Sequence, residues 1–185
     1  MIQTELELTY LAKYIPEGLE ACPSKLIADV YYPAEDPHPR LRIRQRGDVY
    51  EITKKVMAHG TDSSHQLEHT IALNQAEFVA LIQNPGKRVA KRRYLYDYQG
   101  QTAEIDIFEG ELAGLVEVDF EFTDRALQLA FALPDFCLAD VTQEAFAAGG
   151  KLAGKSYSDI EEDLRRYGYK PLFLKEADRV ADGAV

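Results

Sequence analysis

The chain is 185 residues long, 46% hydrophobic and 28% charged, with a formal net charge of −10. That length suits a single domain with a core of its own, and the acidic balance argues against a non-specific binder of nucleic acid or of an anionic membrane. Cys22 and Cys137 are far apart and lack zinc-ligand spacing, so they read as free thiols in a reducing compartment. The opening MIQTELEL has no basic segment ahead of an apolar run, and no apolar stretch approaches the roughly 20 residues of a membrane span. The expectation is a cytoplasmic protein with neither a nucleic acid nor a membrane as partner.

In chain order, the first strand candidate covers residues 2–11, where Leu6, Leu8 and Tyr10 alternate with Glu5, Glu7 and Thr9. Strand candidates follow at 26–32, 40–46, 48–57 and 64–73. In the third, Leu41 and Ile43 point one way while Arg42 and Arg44 point the other; in the fourth, Ile52 opposes Glu51, Thr53 and Lys55. In the fifth, Gln66, Glu68 and Thr70 alternate with His69 and Ile71. Asn74 and Glu77 then form a capping-box pair ahead of a helix whose Phe78, Leu81 and Ile82 share a face.

Three more strands are predicted at 87–96, 101–108 and 114–122. Lys91 and Arg93 share a face in the first, and Glu104 and Asp106 oppose Ile105 and Ile107 in the second. In the last, Glu117, Asp119 and Glu121 oppose Val116, Val118, Phe120 and Phe122. The turn signals RGD at 46–48, QNPGK at 83–87 and YQGQ at 98–101 imply antiparallel hairpins.

Beyond the strands, Thr123 is the expected cap of a helix over DRALQLAFAL. Ser158 with Glu161 is the expected start of a final helix ending at Gly168. That helix offers the pairs Glu161–Arg165 and Glu162–Arg166 on its polar side. Its stripe of Ile160, Leu164 and Tyr167 could pack on the barrel or on a second subunit, so a homodimer is one expected assembly. The fold class is α+β, an antiparallel sheet closed into a barrel with flanking helices. Residues 1–170 are read as one domain and 171–185 as a tail with little to bury.

Strand after strand thus has an apolar face and a face bearing paired charges of one sign. A solvated sheet face usually mixes signs and includes Ser and Thr. Here basic pairs and acidic pairs recur at i, i+2 on separate strands, which suits a shared interior. Arginine forks match phosphate oxygens, and hard divalent cations take one or two carboxylates together with phosphate oxygens. A lumen with both would hold a metal–triphosphate complex.

The ordered series ELE at 5–7, RIR at 42–44, TKK at 53–55, KRR at 91–93, EID at 104–106 and EVD at 117–119 resembles that of CYTH proteins, the triphosphate tunnel metalloenzymes. The resemblance implies an eight-stranded antiparallel β-barrel around a charged tunnel, with Mg²⁺- or Mn²⁺-dependent hydrolysis of inorganic triphosphate or a related triphosphate compound. It implies Glu5, Glu7, Asp106 and Glu117 as the metal-site acids and Arg42, Arg44, Lys55, Lys91 and Arg93 as phosphate ligands. Glu68 and Asp119 are the acids expected to orient water. The alternatives are a triphosphate- or nucleotide-binding module with impaired catalysis, and a class IV adenylyl cyclase or thiamine triphosphatase. Three features depart from the family pattern: Thr9 stands where its opening motif has lysine, Gln66 replaces one of two acids expected in the middle strand and leaves Glu68, and no cation follows VT at 141–142 until Lys151 and Lys155.

Overall fold

The computed structural model describes residues 2–174. Its barrel strands are β1 (Ile2–Ala12), β2 (Ser24–Tyr32), β3 (Leu41–Arg46), β4 (Val49–Met57), β5 (His65–Leu73), β6 (Lys87–Tyr98), β7 (Gln101–Phe108) and β8 (Val116–Phe122). They run in the spatial order β5-β4-β3-β2-β6-β7-β8-β1, and a further β5–β1 pairing joins the two ends. All pairings are antiparallel, so the expected eight-stranded barrel is the fold. A ninth strand, β9 (Cys137–Asp140), was not anticipated and pairs with the far end of β1.

The length of β1 makes the closure possible. Its first half, Ile2–Leu6, pairs with β5, and its second half, Leu6–Leu11, pairs with β8. A strand staggered in this way satisfies both edges and leaves no open ladder at the seam.

The helices are α1 (Gln75–Leu81), α2 (Arg125–Ala130), α3 (Gly149–Leu152) and α4 (Tyr157–Arg165). The Asn74–Glu77 capping box opens α1 as expected. For α2 the cap is Asp124, not Thr123, and its carboxylate accepts from the backbone N–H groups of Ala126 and Leu127. The helix stops early because Phe131 turns extended and packs on Phe120, with ring centroids 4.6 Å apart.

For α4 the capping box is Ser156 with Asp159, two residues earlier than Ser158 with Glu161. Glu161–Arg165 forms at 2.9 Å, whereas Arg166 turns to Asp163 and Glu144 rather than Glu162.

The apolar core lies outside the barrel wall. One cluster joins the outward faces of β1, β7 and β8 through Tyr10, Ile105, Val118 and Phe120, under Leu19, Phe136 and Cys137. A second sits at one end, where the inward positions turn apolar: Leu11 and Phe108 meet Leu112, Val141, Phe146 and Leu152. Ile160 and Leu164 of α4 are buried in that cluster, so this stripe packs on the barrel.

Residues 171–174 of the expected tail also dock. The Leu172 N–H donates to the Gly114 carbonyl at 3.0 Å, and Leu172 and Leu174 pack on the first cluster. Residues 175–185 lie outside the described residues. No helix among the described residues is long and apolar enough to cross a membrane.

Candidate active site

Because side chains alternate along a strand, every second residue of each barrel strand enters the lumen. The result is a cavity of about 880 Å³ lined mainly by charged and polar groups. Glu5, Glu7, Arg42, Arg44, Lys55, Glu68, Lys91, Arg93, Glu117 and Asp119 all line it. Asp106 is the exception: it is fully buried behind Lys91 and Arg93, which take up its carboxylate oxygens, and does not itself line the cavity.

The cations are held in place by residues opposite them in register. Arg42 faces Thr53 across β3–β4, and its Nε donates to Thr53 Oγ1 at 2.9 Å while Nη2 reaches Glu68 at 3.0 Å. Arg93 faces Asp106 across β6–β7, and its Nε and Nη2 donate to that carboxylate at 2.7 and 2.6 Å. Its guanidinium also contacts Glu104 and reaches Asp119 at 2.9 Å. Lys55 bridges the barrel seam, contacting Glu5 and lying 3.4 Å from Glu7. Cross-strand neighbours this close are the natural partners of a charged lumen face.

The crowded acids do not share one protonation behaviour. Burial opposes the charge of Glu7, but Lys55, Arg93 and Lys91 outweigh it and hold the carboxyl well below the usual range. Asp119 goes the other way: burial, and then the Glu7 charge, raise its proton affinity against the pull of Arg93. Glu117 is also raised well above the usual carboxylate range, first by burial and then by Asp119, Asp106 and Glu7, with Lys91 opposing them. Two neighbouring carboxylates pushed apart in this way mark a site built for acid–base or cation chemistry.

The donor set fits a hard divalent cation. Glu117 Oε1 is buried without a hydrogen-bond partner among the described residues, and an orphaned carboxylate oxygen beside other acids is what a cation would satisfy. No group of three His, Cys, Asp or Glu side chains among the described residues forms a ready-made metal cage. The arrangement therefore suits shared ligation, with carboxylates on one side of the ion and phosphate oxygens on the other.

Where the family lysine would stand, Thr9 Oγ1 donates to Asp119 Oδ1 at 2.8 Å, its register partner across β1–β8. Thr9 therefore fixes an acid instead of supplying a cation. Neither Lys151 nor Lys155 lines the cavity; that side is closed by the 141–150 segment, including Gln143 and Gly150. Gly150 is required there, because a Cβ would lie 2.1 Å from the Pro39 carbonyl oxygen.

Asp29 is a lumen acid that escaped the sequence reading. Asp29 and Tyr31 of β2 line the cavity, Asp29 pairing with Arg44 and Tyr31 Oη accepting from Arg42 Nη1 at 3.3 Å. The available signal was a lone carboxylate inside the apolar run LIADVYY. A buried position with no local partner needs a distant cation.

Comparison with known proteins agrees with this geometry. Residues 17–132 match the CYTH domain. The chain is 32% identical to an inorganic triphosphatase of Nitrosomonas europaea over 143 residues, covering 76% of this chain and 91% of that protein. It is 27% identical to an inorganic triphosphatase of Acetivibrio thermocellus over 127 residues, covering 69% and 80% respectively. A solved inorganic triphosphatase structure superposes with a TM-score of 0.60 at 27% identity, over 82% of this chain and 95% of that one. The matched domain, the relatives and the closed charged barrel agree, and the chain belongs to the CYTH family.

Proposed function

We propose that this chain is a metal-dependent hydrolase of inorganic triphosphate, which it binds in the barrel lumen. The observation that carries the reading is the division of one barrel lumen into a cationic wall on β3, β4 and β6 and an acidic wall on β1 and β8. Its similarity to two inorganic triphosphatases supports the choice of substrate.

Arg42, Arg44, Lys55, Lys91 and Arg93 would bind the phosphoryl oxygens, balancing charge that no side chain could tolerate in an apolar core. Glu5, Glu7 and Glu117 would hold a divalent cation, with Asp119 beside them and Asp106 behind Arg93. When bound, Mg²⁺ or Mn²⁺ polarises phosphoryl oxygens and offsets their charge. Attack of water on a terminal phosphorus breaks the bridging P–O bond and yields orthophosphate and pyrophosphate.

Asp119 suits the role of proton acceptor, because burial and Glu7 raise its proton affinity above that of an ordinary aspartate. Glu68, anchored by Arg42 and Thr70, is the second acid able to orient water. The lumen residues otherwise act by position and charge, which is what phosphoryl transfer requires of a protein.

The test is phosphate release from inorganic triphosphate, with ATP and thiamine triphosphate alongside, in Mg²⁺ and in Mn²⁺. Release should be lost in Glu7→Ala and Arg44→Ala while both variants stay folded; undiminished release in either rejects the site. One observation favours a second reading, a binding module without turnover: Thr9 ties up Asp119 and brings no charge. Thermal stabilisation by triphosphate with no release in either metal would select it.

A further inference from the structure

Three lumen arginines are each gripped by the residue directly opposite on the neighbouring strand, yet they differ in what remains free. Arg42 uses Nε, Nη1 and Nη2 on Thr53, Tyr31 and Glu68. Arg93 uses all three nitrogens on Asp106, Glu104 and Asp119.

Arg44 is different. Its Nε and Nη2 donate to the two oxygens of Asp29, each at 2.8 Å, and its Nη1 has no hydrogen bond among the described residues. The two residues are register partners across β2–β3, and both are buried, with 4% of Asp29 and 9% of Arg44 exposed.

We infer that Asp29 is a positioning residue for triphosphate binding: by occupying one edge of the Arg44 fork it leaves Nη1 as the group offered to a phosphoryl oxygen in the lumen. The inference rests on the proposed function only in taking Arg44 as a phosphate ligand. A side-on carboxylate fixes both the plane and the rotation of a guanidinium, so the remaining amino group has its position set before substrate arrives. That removes ordering cost from the binding step. It also explains why an isolated acid stands in the apolar run of β2, where neither the barrel core nor the acidic wall needs one.

Removing the charge of Asp29 would confuse two effects, because a less acidic lumen attracts anions more strongly. Asp29→Glu separates them: the charge stays and the carboxylate moves by one methylene. The measurement is the Kd for inorganic triphosphate by calorimetry in wild type, Asp29→Glu, Arg44→Lys and the double variant, with KM and kcat measured in parallel.

The expected result is a rise of about tenfold in Kd and KM for Asp29→Glu with kcat changed less than about twofold, as displacement of one binding group predicts. In the Arg44→Lys background, which has no fork to hold, Asp29→Glu should add no further change. Wild-type affinity in Asp29→Glu, or the same loss in both backgrounds, overturns the inference. A purely structural role would instead lower the melting temperature in both backgrounds without separating KM from kcat. If Asp29→Glu does not fold, Asp29→Asn goes through the same cycle, and additive effects with Arg44→Lys refute the coupling.

The two readings fail differently. Triphosphate binding without hydrolysis in wild type removes the proposed reaction and leaves the Asp29 cycle readable. No triphosphate binding by wild type overturns both.

Discussion

Arg93→Ala would remove the cation that contacts Glu104, Asp106 and Asp119 together. In the intact protein burial works against the Asp106 charge, but Lys91 and Arg93 prevail and lower its pKa from an ordinary 3.8 to about 2. That displacement corresponds to roughly 2 kcal/mol of folding stability at neutral pH. Losing one partner of a buried, multiply paired charge generally costs about 3–5 kcal/mol, so a loss in that range is expected at pH 7.

The sign of the pH dependence follows from the same groups. A depressed Asp106 contributes stability above its unfolded value and loses it as pH falls from about 4 towards about 2. Without Arg93, burial acts on Asp106 with only Lys91 to oppose it, and Asp119 loses its cation as well. Both folded-state proton affinities then rise, so the variant is penalised most at high pH and recovers as pH falls. Urea unfolding followed by far-UV circular dichroism, in metal-free buffer at pH 7 and pH 5, measures both effects. A loss under about 1 kcal/mol at pH 7, or an equal loss at the two pH values, would refute the account of the arginine as the counter-charge of the acidic wall.

Thr9→Lys should lower the KM for inorganic triphosphate several-fold in steady-state assays, because it adds a cation beside Asp119, although it ends the 2.8 Å Thr9–Asp119 hydrogen bond. An unchanged or higher KM would mean that fixing Asp119 matters more than the missing charge. Tyr169→Phe should cost about 1–3 kcal/mol in urea unfolding. Its buried hydroxyl donates to the Gly114 carbonyl and accepts from the Val116 N–H, both at 2.8 Å, and so ties the chain after α4 to the start of β8. A change within experimental error would show that water replaces both bonds.

Much of the barrel was legible along the chain because alternation is local. Each of the predicted strands reappears within a few residues of its expected ends, and the charged faces of β1, β3, β4, β6, β7 and β8 are those turned into the barrel. The misplacements arose where distant contacts chose between local options. Asp124 rather than Thr123 caps α2, and the helix ends where Phe131 packs on Phe120 of β8. The strand at Cys137–Asp140 pairs with the edge of β1 opposite β8, which the pairing with β5 leaves free after Leu6.

The eight barrel strands, their two faces and the types of charge each face carries are legible along the chain, since these depend on residues two apart. Which charges meet depends on how the strands are arranged in space. That arrangement placed Asp29 against Arg44, fifteen positions away, and Thr9 against Asp119, 110 positions away. It also buried Asp106 behind two cations, although its spacing is the same as that of acids facing the lumen. Register and barrel closure set these meetings, and both are fixed by packing and hydrogen bonding between strands remote in sequence.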